Sequence, residues 1–202
     1  MMRGVRIRRA HIGAAILLLC ALGAPVSSHA QVRVVAFGDS NTYGMNMARE
    51  QSYPAQLEAM LKAKGHNIRV DNRGVPGATA ADGVSRVDSA VPAGTRVAIV
   101  LFGINDVRRG VSATAFESSM TEILGRIKAR GTRIVLCYRP HPRLAGEFQA
   151  AYKRAGSKFG TAICNFRAGV PKTGYQADGH ENAEGNTAVA RNLMRVVEPM
   201  IR

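Results

Sequence analysis

The sequence predicts an α/β fold in which a parallel β-sheet is covered by helices on both faces. Three observations carry this. Strand-like runs alternate with segments of helical spacing along the chain, the pattern of right-handed β-α-β crossovers. Arg96 to Phe102, R-V-A-I-V-L-F, is a continuous apolar run of the kind a strand buried on both faces requires. No repeat, low-complexity tract or second apolar core interrupts the chain, so 202 residues with 46% hydrophobic content read as one domain.

In chain order, Val32 to Phe37 is a compact β-rich run, followed by a helix over Gln51 to Lys64 with Pro54 near its start and Gly65 at its end. Asn67 to Val70 is a short second strand. The following D-N-R-G-V-P-G, residues 71–77, has the glycine and proline density of a loop. Ala80, Val84, Val87 and Val91 give helical spacing, interrupted by Gly83. After the apolar third strand come Gly103-Ile104-Asn105-Asp106. Phe116, Met120, Ile123, Leu124 and Ile127 then form one face of an amphipathic helix closed by Gly131. Thr132 to Tyr138 is a fourth strand, Leu144 to Phe159 a helix and Thr161 to Phe166 a fifth strand. Val189, Leu193, Val196, Val197 and Met200 mark a C-terminal helix. The connection from Arg167 to His180 is longer than loops of this kind usually are, which marks it as a place to look for function.

The first thirty residues read as a secretory signal. Arg3, Arg6, Arg8 and Arg9 form a basic start, Ile12 to Leu22 an apolar run, and Ser28-His29-Ala30 a small-x-small site, with cleavage expected after Ala30 and a domain over residues 31–202. A lipoprotein with Cys20 as the lipidated residue is the minor alternative, weakened by bulky Leu19. The expected location is periplasmic or secreted, with no membrane-spanning segment in the mature chain. Cleavage removes four arginines and no acids, so the net charge falls from +14 to +10. That balance favours weak attraction to anionic membranes or polyanionic cell-wall polymer. Arg49, Lys62, Arg86, Arg108, Arg126, Lys153 and Arg191 are scattered rather than gathered with aromatics, which argues against nucleic acid. Cys137 and Cys164 remain after cleavage, either as one disulfide or as two buried small residues. No Cys/His spacing suits zinc, so no metal is expected.

Candidate chemistry centres on V-A-F-G-D-S-N-T-Y, residues 35–43, where a strand runs into Gly38-Asp39-Ser40 at the sheet's carboxyl edge, the place open α/β sheets bind ligands. On that tripeptide alone, Ser40 is better read as the cap of the next helix than as a nucleophile. A serine nucleophile needs a base, a group to orient the base and donors for the developing oxyanion. Each is available after a strand or before a helix. Asn105 follows strand three, and Gly74 and Gly77 follow strand two. Asp178-Gly179-His180 precedes the last helix, although Asp178 with Glu181 also resembles a helix-capping pair. His66 and His141 have no acid nearby in sequence, which leaves His180 as the candidate base.

Taken in order, F-G-D-S-N-T-Y-G at 37–44, N-R-G-V-P-G-A-T at 72–79, G-I-N-D at 103–106 and D-G-H-E-N-A-E-G at 178–185 resemble the motifs of the GDSL, or SGNH, hydrolases, of the exported thioesterase, arylesterase and lysophospholipase sort. The resemblance spans nearly all of residues 32–200. It implies a flavodoxin-like three-layer α/β/α sandwich with five parallel strands ordered 2-1-3-4-5, and no cofactor. It also implies Ser40 as nucleophile, His180 as general base oriented by Asp178, and an oxyanion hole from the N–H groups of Ser40 and Gly77 with the side-chain amide of Asn105. The implied activity is hydrolysis of small-molecule or lipid acyl esters or thioesters through an acyl-Ser40 intermediate. The rival readings are a carbohydrate O-acetylesterase and a catalytically impaired envelope-binding protein. Two departures stand out: Asn41 replaces the eponymous leucine, and Asp178 lies two residues before His180 where the family pattern has three, with Ala177 in the usual place. Either Asp178 reaches the imidazole through a changed turn, or His180 works with a carbonyl or water.

Overall fold

A computed structural model describes residues 30–202, so residues 1–29 of the expected leader lie outside the described residues. Strand β1 spans Val32–Gly38, β2 Ile68–Gly74, β3 Thr95–Leu101, β4 Arg133–Tyr138 and β5 Ala162–Asn165. Every pairing is parallel, and the order is β2-β1-β3-β4-β5. The helices are α1 (Ser40–Tyr43), α2 (Tyr53–Ala63), α3 (Ala80–Ala90), α4 (Ile104–Arg108), α5 (Ala113–Ala129), α6 (Glu147–Lys158) and α7 (Ala183–Ile201).

Alternation along the strands builds the two outer layers. Val35, Phe37, Ala98, Val100, Ile134 and Leu136 face α3, α5 and α6. Val34, Ala36, Val97, Ile99, Val135 and Cys137 face α2 and α7. Successive residues of a strand point to opposite faces, so strands apolar at consecutive positions need cover on both sides. The three-layer sandwich and its strand order are those the sequence implies.

Three boundaries differ from the sequence reading by two residues or more. Strand β2 does not stop at Val70 but runs to Gly74, because Asp71 to Gly74 pair in register with Val35 to Gly38 of β1. Pairing with a central strand outweighs the loop-like composition there. The helix expected from Leu144 begins at Glu147, after a 3₁₀ turn over Pro142–Leu144 and Gly146 at φ 62°. The helix expected from Gln51 begins at Tyr53, with Arg49–Gln51 as another 3₁₀ turn. Gly83 interrupts nothing in α3: a Cβ there would lie 2.9 Å from both Phe102 and Ile123, so its absence lets α3 sit close to the sheet and α5.

Cys137 and Cys164 lie opposite each other on β4 and β5 and form a disulfide. Among the described residues no helix is long and apolar enough to cross a membrane.

Candidate active site

The parallel topology brings the ends of β1, β3 and β4 to one edge of the sheet, and the loop before α7 folds over it. At β1 the chain passes Gly38, where a Cβ would lie 2.3 Å from Thr42 Oγ1 and 2.5 Å from the Leu101 carbonyl oxygen. Only glycine permits that approach, so close packing, more than the turn, requires it. Asp39, not Ser40, caps α1: its Oδ1 accepts from the Asn41 backbone N–H at 2.9 Å and from Asn41 Nδ2 at 2.8 Å. Ser40 is therefore the first residue of α1, with its own N–H among those a helix start leaves without an intrahelical partner. Its side chain is 2.9 Å, Oγ to Nε2, from His180.

The capping alternative for Asp178 and Glu181 does not hold. Helix α7 is capped by Asn182, whose side chain accepts the Gly185 N–H at 3.0 Å. Asp178 is instead turned onto His180: its Oδ1 accepts the His180 backbone N–H at 3.0 Å, and its Oδ2 lies 3.0 Å from His180 Nδ1. Gly179, at φ 82°, supplies the left-handed step that lets an acid only two residues away fold back on the ring. The Nδ1 contact is short but off the hydrogen-bond axis, so this buried nitrogen lacks a well-directed partner. At that range the carboxylate charge acts on the ring. The His180 backbone N–H first, and the nearby imidazole second, hold the Asp178 carboxyl below its usual range and so keep it ionised.

Four residues that sequence reasoning missed secure this loop. Asn46, the one non-glycine residue at positive φ among those described (59°), donates from Nδ2 to Asp178 Oδ2 at 3.0 Å. Gln176 donates from its side chain to the carbonyls of Met45 (2.9 Å) and Glu181 (3.0 Å), and from its backbone N–H to the carbonyl of His180 (2.7 Å). Arg139 and Arg167 both donate to the Gly179 carbonyl, at 2.8 and 2.6 Å. Arg167 also pairs with buried Glu181 at 2.6 Å. None has a sequence signal, since each acts on main chain or on a partner far away in the chain.

The candidate donors come from the β3 and β2 connections. Asn105 Nδ2 donates to the Ala78 carbonyl at 3.0 Å, which leaves its second N–H for another acceptor. The next residue, Asp106, accepts the Ala80 N–H at 3.0 Å, so two adjacent residues pin the turn that follows Gly77. Gly77 itself lies at φ 78°, its carbonyl held by Arg109 Nη2 at 2.8 Å. Gly74 serves packing instead, since a Cβ there would lie 2.2 Å from the Tyr43 backbone nitrogen and its absence lets β2 pack against α1.

Asp39 shapes the electrostatics under the site. It is 1% exposed, and burial pushes its carboxyl up to about 6 against the opposing pull of Asn41, Arg139 and His180. Among the described residues no group of three or more His, Cys, Asp or Glu side chains could hold a metal. An ordered carboxylate, imidazole and hydroxyl beside spare N–H donors can draw a proton from the hydroxyl and stabilise an anion formed next to it.

Known proteins show the same organisation. The family model described as GDSL-like Lipase/Acylhydrolase matches residues 36–188. An arylesterase of Vibrio mimicus is 27% identical over 122 residues, 60% of each chain. The esterase TesA of Pseudomonas aeruginosa is 23% identical over 178 residues, 83% of this chain and 89% of that one. Among solved structures, TesA superposes with a TM-score of 0.76 at 23% identity, covering 83% of this chain and 99% of the other. AlinE4, described as an SGNH-hydrolase family esterase, gives 0.69 at 30% identity, covering 86% and 94%. With the four motif blocks on one sheet edge and a family match over most of its length, the chain belongs to the GDSL-like lipase/acylhydrolase family of serine hydrolases.

Proposed function

We propose that the protein hydrolyses acyl esters or thioesters by acyl transfer through Ser40 to water, in the manner of an arylesterase, thioesterase or lysophospholipase. The observation that carries this reading is the continuous line from Asp178 Oδ2 to His180 Nδ1 at 3.0 Å and from His180 Nε2 to Ser40 Oγ at 2.9 Å. In this reading Ser40 Oγ attacks the carbonyl carbon while His180 Nε2 takes its proton. The oxyanion of the tetrahedral intermediate accepts from the N–H groups of Ser40 and Gly77 and from the free N–H of Asn105. His180 then protonates the leaving oxygen or sulfur, the acyl-Ser40 ester forms, and His180 activates water to release the acid. Asp178 holds the imidazole tautomer that leaves Nε2 free to accept. No step calls for a cofactor.

The proposed setting is outside the cytoplasm, after removal of residues 1–30. The Cys137–Cys164 disulfide supports an oxidising compartment. The test uses p-nitrophenyl esters of graded chain length with the mature protein and Ser40→Ala. Turnover by the parent and loss of at least about a thousandfold in the variant are expected; equal rates would refute the role of Ser40. Strong preference for acetyl over longer chains would redirect the reading to an O-acetylesterase.

A further inference from the structure

The same sheet edge carries, beyond β4 and β5, a cleft and a group of positive charges that do not touch the Ser40 hydroxyl. A cleft of about 290 Å³ is lined by Tyr138, Arg139, His141, Leu144, Gln149 and Asn165. Arg139 is 6% exposed, gives Nη2 to the Gly179 carbonyl and has no partner for Nε. No carboxylate among the described residues lies within ion-pair distance of Arg139, Arg108 or Arg143, whereas Arg109, Arg154 and Arg167 each have one. A buried guanidinium with no carboxylate in direct contact is costly, so the cleft favours an anion that would pair with it. The two acids whose charge reaches Arg139 do not touch it: Glu181 pairs with Arg167, and Asp39 accepts from Asn41. Burial and the charges of Arg139, Arg108, Arg143 and Arg167 hold His141 below its usual range, which gathers these groups around one spot.

The cleft is within reach of a substrate seated at Ser40. Arg139 directly follows β4 and Asn165 ends β5, and β4 stands two strands from β1 in the sheet. At roughly 4.8 Å per strand that is about 10 Å. The α4 helix that carries Asn105 packs against the 3₁₀ turn that carries Arg143. We propose that this cleft is a subsite for the anionic group of an ester substrate, a carboxylate or phosphate paired with Arg139 in the cleft wall and attracted by Arg108 and Arg143 beside it, about 10 Å from the reacting carbonyl. The inference rests on the ester-hydrolase reading and adds a substrate class to it.

Two pairs that differ by one anionic group test it on the mature protein at low salt. The first is p-nitrophenyl octanoate against mono-p-nitrophenyl suberate, with the charge on the acyl end. The second is phenyl octanoate against p-phosphophenyl octanoate, with the charge on the leaving group. In at least one pair the anionic member should have a kcat/KM about tenfold higher. That ratio should fall toward one in an Arg108→Ala, Arg143→Ala double variant, whose exposed positions spare folding. Ratios at or below one in both pairs, or a ratio that the double variant leaves unchanged, overturn the subsite. Calorimetry on Ser40→Ala with suberate and with phenyl phosphate reads the cleft without turnover: binding that the double variant loses supports it, and no binding of either overturns it. Absence of turnover on all four esters would count against the hydrolase reading, while the binding result still decides the subsite.

Discussion

Asp39 stands between the strand and Ser40, and its burial gives the site a measurable pH signature. Its carboxyl titrates near 6 in the folded protein against 3.8 for the free group. Between those values the folded chain binds more protons than the unfolded one, so Asp39 costs stability as pH rises through that window. The full cost, about 3 kcal/mol at most, is present above pH ~6 and absent below pH ~4. Asp39→Asn keeps an acceptor for Asn41 and should therefore be more stable than the parent at neutral pH and equal to it near pH ~4. Urea denaturation at both pH values checks this, and a variant less stable at neutral pH would contradict it. Ser40, Asn105 and His180 are legible in the sequence because motif and position coincide. Asn46, Arg139 and Arg167 are not, because their partners are main-chain atoms or side chains far away in the chain.

Most elements are legible from periodicity, and the misplacements have physical causes. The end of β2 reads as loop by composition, yet pairing with β1 through Gly74 extends the strand and sets where the Gly77 turn begins. The cysteines cannot be paired from spacing, because the β4–β5 register alone puts Cys137 opposite Cys164. That bond closes a segment of 27 residues and anchors the four-residue edge strand β5. Closing such a loop restricts the unfolded chain by about 3–4 kcal/mol. Cys137→Ala, Cys164→Ala should lose that much in denaturant titration, and the parent should lose it on reduction. No change in either would contradict the account. At the start of α7, Asn182→Ala removes the acceptor for Gly185 N–H and should cost about 1 kcal/mol, read as a lowered thermal midpoint.

Across the whole molecule, strand order and motif order agree, which is why the fold is legible from the chain alone. The local geometry of the shortened acid–base loop is not, since it depends on Gly179 at positive φ and on arginines arriving from β4 and β5. The leader is the largest expectation outside the described residues; mass spectrometry of the exported protein should find it beginning at Gln31. The central claim is that Asp178, two residues from His180, completes a working triad. The direct measurement is kcat of Asp178→Ala against the parent on one p-nitrophenyl ester, with circular dichroism to show that both fold. A loss of about 10²–10⁴ in kcat with KM little changed is the predicted result. A variant as fast as the parent would show that His180 works without its acid.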